Sequence, residues 1–206
     1  MILADFQPPL VAILRGLPSA DAGAVGRTLL DAGFRIIEVP LNRPGALESL
    51  RTLAAMAPPD ALIGAGTVLS MADADATHRA GGRLVVSPHC SPPLIAHAVS
   101  LGLWCAPGVA TPTEAFAALQ SGAHALKIFP AEMVGTAGLK ALLAVLPAGV
   151  PLWPVGGITP ESLPAWLRAG ATGFGIGGAL YQPGMPLALL AERAAAFQRA
   201  WATFSE

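Results

Sequence analysis

Apolar residues fall along this chain in short, nearly unbroken runs at 10–14, 36–40, 62–65, 84–87, 104–107, 125–128, 152–155 and 173–176. A run that is apolar throughout, rather than at every second position, marks a strand covered on both faces, and such strands belong to parallel sheets. Between the runs lie alanine- and leucine-rich segments with helical spacing, at 21–32, 46–56, 71–80, 93–101, 112–121, 137–145, 160–169 and 186–203. Gly33, Gly81, Gly102, Gly122 and Gly170 each stand shortly before a strand, where glycine accepts the left-handed conformation that closes a helix. They recur at about 20–24 residues or twice that, the period of a repeated strand–helix unit. Thr111-Pro112-Thr113-Glu114 reads as a cap, a first-turn proline and a capping-box glutamate, and Thr159-Pro160 offers the same cap and proline.

Eight such units in about 200 residues are the minimum for a closed (β/α)8 (TIM) barrel, so the chain is expected to be α/β with one domain over 1–206. An open doubly wound sheet would carry a Gly-rich fingerprint after its first strand and an acidic residue after its second. Here the first strand ends Ala12-Ile13-Leu14-Arg15-Gly16, which lacks that fingerprint. No linker or low-complexity stretch divides the chain.

Composition narrows the partners. Hydrophobic residues are 53% and charged residues 12%, enough apolar surface for a large core. The formal net charge is -1 with scattered basic residues, which argues against nucleic acid or an anionic membrane. No apolar run approaches the ~20 residues that span a bilayer. Residues 1–9 carry Asp5 and lack a basic segment followed by a long apolar one, so no signal peptide is expected there. Cys90 and Cys105 have neither metal-ligand nor redox spacing. The expected setting is the cytoplasm, with both thiols reduced.

Chemistry in such barrels sits at the C-terminal ends of the strands. Two ionisable residues interrupt the apolar runs there. Lys127, one of only two lysines in the chain, lies inside Ala125-Leu126-Lys127-Ile128-Phe129-Pro130. Burial disfavours an ammonium and moves its pKa toward the range of a nucleophilic amine, although a strand-end lysine can also lay its stem on apolar surface and reach water. Glu38 lies inside Ile36-Ile37-Glu38-Val39-Pro40. A carboxylate there is costly unless paired, and a structural ion pair with Lys127 is the bland alternative to catalysis. Because perturbed titratable groups cluster at functional sites, the pair is read as catalytic.

The seventh and eighth strands end in Gly156-Gly157 and Gly177-Gly178, where barrels often bind phosphate through backbone N–H groups, so a phosphorylated ligand is expected. Arg15 suits a carboxylate or phosphate clamp, or a rim ion pair. Thr67 is open between a substrate hydrogen bond and a turn cap. His89 reads as a satisfied loop histidine with no metal partner, His78, His97 and His124 as structural, and Trp104, Trp153, Trp166 and Trp201 as packing residues. No metal site is expected.

Taken in order, EVPLN around Glu38, GAGTV from Gly64, PGVATPTEAF from Pro107, LKIFPAE around Lys127 and VGGITP from Val155 resemble one family. It is that of the class I aldolases that cleave 2-keto-3-deoxy-6-phosphosugar acids, and the resemblance runs from about Leu10 to Phe197. AILRG at Ala12 and PLN at Pro40 are more similar to the members acting on the 6-phosphogalactonate substrate. The 6-phosphogluconate type tends to carry an arginine near Asn42 instead. The resemblance implies a Schiff base on Lys127, acid–base catalysis by Glu38, and substrate contacts from Arg15 and Thr67. It also implies phosphate binding at Gly156, Gly157, Gly177 and Gly178, pyruvate as a product, a homotrimer, and no cofactor or metal. One departure stands out: relatives commonly have serine where this chain has Gly178, so a hydroxyl donor to phosphate is lost.

Overall fold

The computed structural model describes residues 8–205, so the reading of residues 1–9 as no leader rests mostly on residues outside the described ones. Within that range strands and helices alternate: β1 (Leu10–Ile13), α1 (Ala22–Asp31), β2 (Ile36–Pro40), α2 (Ala46–Met56), β3 (Leu62–Gly66), α3 (Met71–Arg79), β4 (Leu84–Val86) and α4 (Pro92–Ser100). There follow β5 (Trp104–Ala106), β6 (Gly108–Val109), α5 (Pro112–Gln120), β7 (Leu126–Ile128), α6 (Ala131–Leu143), β8 (Leu152–Pro154), α7 (Leu163–Arg168), β9 (Phe174–Ile176) and α8 (Leu187–Ser205). Every ladder is parallel. β5-β4-β3-β2-β1-β9 form one sheet and β6-β7-β8 another. A bridge between Val155 and Gly175 and the bond from Thr172 N–H to the Leu152 carbonyl (3.0 Å) join β8 to β9. The result is the expected (β/α)8 barrel.

Pro107 explains the extra strand. With no N–H to give, it interrupts the ladder of the run expected at 104–107, which resumes as β6. Its carbonyl still accepts from Lys127 N–H at 2.9 Å.

Alternation along each strand sorts the side chains into two cores. Val11, Ile36, Leu62, Leu84, Val86, Ala106, Ala125 and Trp153 fill the barrel, with Trp104 packed against them. Leu10, Ala12, Leu14, Ile37, Val39, Ile63, Val85, Leu126, Ile128 and Leu152 belong to the larger core between strands and helices. Counting in twos from the inner set carries the inward face to Ile13 and Arg15, Glu38, Gly64 and Gly66, Lys127 and Phe129, Val155 and Gly157, and Gly175 and Gly177. The polar residues singled out in the sequence are thus mostly the upper inward positions of an otherwise apolar lumen.

The helix stops form as expected: Gly33, Gly81, Gly102, Gly122 and Gly170 have φ of 89°, 84°, 75°, 95° and 102°. The Thr111 capping box is present, with Glu114 N–H donating to Thr111 Oγ1 (3.3 Å) and Thr111 N–H to Glu114 Oε2 (2.9 Å). Two helix starts differ. α7 begins at Leu163, not 160, because Ser162 Oγ accepts from Thr159 N–H and donates to the Thr159 carbonyl, which makes 160–162 a turn. α6 begins at Ala131, not 137, with Gly135 at φ 66°, ψ 171° breaking it after one turn. That first turn lies directly above the strand carrying Lys127. No helix among the described residues is long and apolar enough to cross a membrane.

Candidate active site

Glu38 and Lys127 occupy inward positions on opposite pieces of the wall, in β2 of the larger sheet and β7 of the smaller. Glu38 is 2% exposed and Lys127 7%. Neither takes part in an ion pair: among the described residues those contacts are Arg35–Asp60 and His97–Asp75. The bland reading of Glu38 and Lys127 as a direct structural pair is therefore replaced by two charges that feel each other across a gap.

Burial sets both pKa values. It drives the Glu38 carboxyl up from 4.5 to about 7, against the opposing pull of Lys127 and Arg15. It draws the Lys127 ammonium below its ordinary range, with Glu38 opposing and Arg15 assisting. Lys127 Nζ also lies 4.5 Å from the centroid of the Phe129 ring, whose face favours the cation. Glu38 Oε2 is buried without a hydrogen-bond partner. An acceptor in that state is costly unless it is paired, and its lone pairs are free to take a proton.

A cavity of about 700 Å³ opens at the C-terminal end of the barrel. Arg15, Gly156, Gly157, Gly177 and Gly178 line it, as do Phe129, Glu132 and Tyr181. Lys127 and Glu38 do not reach its wall. Phe129, one inward step beyond Lys127, does. The amine thus lies one layer beneath the open cavity, under an aromatic ring. Thr67 is half-buried at the end of β3 and outside the cavity lining, with φ at 53°. A β-branched residue held in the left-handed region stores roughly 1–3 kcal/mol of strain, of the kind that clusters at sites.

The two glycine pairs differ. Gly156 and Gly157 have φ of 117° and 60°, which side chains resist. Their free faces are not empty. A Cβ at Gly156 would lie 2.2 Å from Glu132 Oε2, and one at Gly157 3.1 Å from Glu132 Oε1. Gly177 and Gly178 have open space where a Cβ would stand. The cavity therefore presents open backbone at Gly177 and Gly178 and a carboxylate over Gly156 and Gly157.

Phe129, Glu132 and Tyr181 were not among the residues singled out in the sequence. Phe129 was signalled by its spacing, two residues past Lys127 on the same face. Glu132 was signalled by its place just past that strand's end, within LKIFPAE. Tyr181, the only tyrosine, is 4% exposed, and burial followed by Asp21 pushes its phenol up. The remaining histidines follow expectation in part. His97 pairs with Asp75 (2.8 Å), and His124 stacks on Trp104 and accepts from Cys105 N–H (3.1 Å), whereas His78, expected to be structural, and His89 are exposed. Among the described residues no three His, Cys, Asp or Glu side chains are grouped so as to hold a metal ion.

Known proteins are similar to this chain in sequence and fold. The family profile described as KDPG and KHG aldolase matches residues 6–186. A 2-dehydro-3-deoxy-6-phosphogalactonate aldolase of Escherichia coli K12 is 45% identical over 193 residues, covering 94% of each chain. A solved structure described as native KDPGal superposes with a TM-score of 0.93 at 44% identity over 96% of each chain. A KDPG aldolase of Legionella pneumophila, solved with pyruvate captured at low pH as a covalent carbinolamine, matches with a TM-score of 0.83 at 28% identity, over 94% of this chain and 95% of the other.

Proposed function

Since the chain belongs to the KDPG and KHG aldolase family, we propose that it is a class I aldolase, a lyase cleaving 2-dehydro-3-deoxy-6-phosphogalactonate to pyruvate and glyceraldehyde 3-phosphate. The observation that carries the reading is the buried, unpaired Glu38–Lys127 couple, each member moved by burial toward neutrality. Neutral Lys127 adds to the C2 ketone, and the carbinolamine loses water to leave an iminium. Glu38, through a water, takes the proton of the C4 hydroxyl as the C3–C4 bond breaks. The bonding pair moves to C3, giving an enamine of pyruvate, and the aldehyde leaves. Glu38 returns the proton to C3, and hydrolysis of the iminium frees Lys127. One base serving several transfers needs a pKa near the working pH, and about 7 meets that need.

Arg15 lines the cavity and serves the substrate carboxylate or phosphate, with Thr67 on the same rim at the end of β3. Gly177 and Gly178 offer N–H groups to the phosphate from an open face, and Gly156 and Gly157 complete the cradle once Glu132 yields. The 45% identity to the phosphogalactonate relative, against 36% to a phosphogluconate-type aldolase of Zymomonas mobilis, supports that C4 epimer. We read the working protein as one cytoplasmic domain assembled as a homotrimer. Met133 (80% exposed) and Val145 (53% exposed), which line an apolar cavity of about 510 Å³ beside α5 and α6, support a contact with another copy at this face.

Borohydride reduction with pyruvate should leave a stable adduct on Lys127 and none on Lys140. No adduct, or one on Lys140, overturns the mechanism. Comparing kcat/KM for the phosphogalactonate and phosphogluconate epimers tests the substrate, and equal or reversed preference sinks that assignment. Light scattering of the purified chain reads the assembly.

A further inference from the structure

We propose that Gly66 is a positioning residue: the side chain missing at this point of β3 is the notch that holds the Glu38 carboxylate in the lumen. The inference rests on the reading of Glu38 as the proton-transfer group. A Cβ at Gly66 would lie 1.4 Å from Glu38 Oε2, 2.3 Å from its Cδ and 2.6 Å from Oε1. In register Glu38 stands opposite Gly64 and Gly66 opposite Pro40, so the Glu38 side chain leans one inward step along the barrel to lie over Gly66. Oε2 has no hydrogen bond to fix it. The shape of the notch therefore does what a bonding partner otherwise would, and leaves the oxygen free for a proton.

The neighbouring glycine gives the contrast. A Cβ at Gly64 would meet the Leu84 carbonyl oxygen at 2.0 Å and its carbon at 2.6 Å. Those are backbone atoms that cannot step aside, so Gly64 serves the approach of β3 to β4. At Gly66 the three nearest atoms are all at the movable end of a side chain, so an added methyl displaces the carboxylate and spares the strand. Gly64 is required by the fold and Gly66 by the site.

The test is Gly66→Ala, with cleavage followed against pH and thermal unfolding measured alongside. The expected protein folds, loses about 100-fold in kcat, the scale of a misplaced general base, and shows its pH limb displaced from the wild-type position. Adding Glu38→Asp, which withdraws the carboxylate by one methylene, should recover about tenfold over Gly66→Ala alone. Should Gly66→Ala prove unstable, Glu38→Ala in the same chain restores its Tm. Wild-type kcat and pH limb in Gly66→Ala overturn the proposal, and so does an instability that Glu38→Ala does not relieve. If Glu38→Gln alone leaves cleavage intact, the acid–base reading falls instead. The Tm cycle between positions 38 and 66 then decides the notch, non-additive values supporting it and additive values removing it.

Discussion

The proposed proton-transfer group, Glu38, also bears on stability. A carboxyl pKa raised on folding means that the folded chain binds its proton more tightly than the unfolded one. The stability drawn from that proton is complete below pH 4.5 and is lost as pH rises through about 7, on the order of 3 kcal/mol in all. Glu38→Gln cannot titrate. Its Tm should therefore fall less between pH 5 and pH 8 than that of the parent, by roughly 5–10 °C at this chain length, while cleavage is lost. Equal slopes of Tm with pH count against the raised pKa. Lys127 acts in the opposite sense at the alkaline end, its lowered pKa withdrawing stability as pH falls from 10.5. Gly178 offers a gain. A Cβ there would stand in open space and the backbone is not left-handed, so Gly178→Ser should fold normally and donate a hydroxyl to the proposed phosphate. A charge-assisted bond is worth about 1.5–3 kcal/mol, so KM for the phosphorylated substrate should drop about tenfold with kcat little changed. An unchanged KM places the phosphate elsewhere.

The elements were legible because the chain marks them redundantly. Apolar runs, glycine stops and the Thr111 capping box all point to the same boundaries, and those boundaries are found. Thr111→Ala removes an acceptor for Glu114 N–H and should cost about 1 kcal/mol, seen as a Tm lower by roughly 2–4 °C with KM unchanged. A Tm loss accompanied by a raised KM would instead tie α5 to the cavity. The misread helix starts have a common cause. At 160 a serine two residues on competes for the Thr159 backbone, and at 131 a glycine breaks the helix after a single turn. Glu38 and Lys127 were legible because charge inside an apolar run is conspicuous. Phe129 was not, because an aromatic beside such a run looks like core until its parity with Lys127 is counted. Glu132 and Gly66 were harder still. What makes each matter is a contact with a residue on a different strand or loop, which spacing along the chain does not record.

At the scale of the molecule, the wall of the barrel is closed from two sheets joined along two seams. The sheet β6-β7-β8 meets the rest where Pro107 interrupts the ladder and where β8 touches β9 through little more than the Val155–Gly175 bridge. Along the first line the Cys105 carbonyl accepts from His124 N–H at 2.9 Å and from Ala125 N–H at 3.4 Å, and the Pro107 carbonyl from Lys127 N–H at 2.9 Å. Lys127 rides on the smaller piece and Glu38 on the larger. In the proposed mechanism a six-carbon ligand covalently joined to one and hydrogen-bonded to the other would be a cross-tie between staves, bracing the vessel in which it forms. With the borohydride-reduced substrate adduct in place, amide hydrogen exchange should slow at His124, Ala125 and Thr172, the N–H groups along the two joints, and stay unchanged between α1 and α2. Uniform slowing, or none at the joints, would mean that the staves are already rigid. If the joints do tighten, turnover is a cycle of mechanical loading, in which each cleaved bond cuts the tie and slackens the barrel for the next molecule to enter.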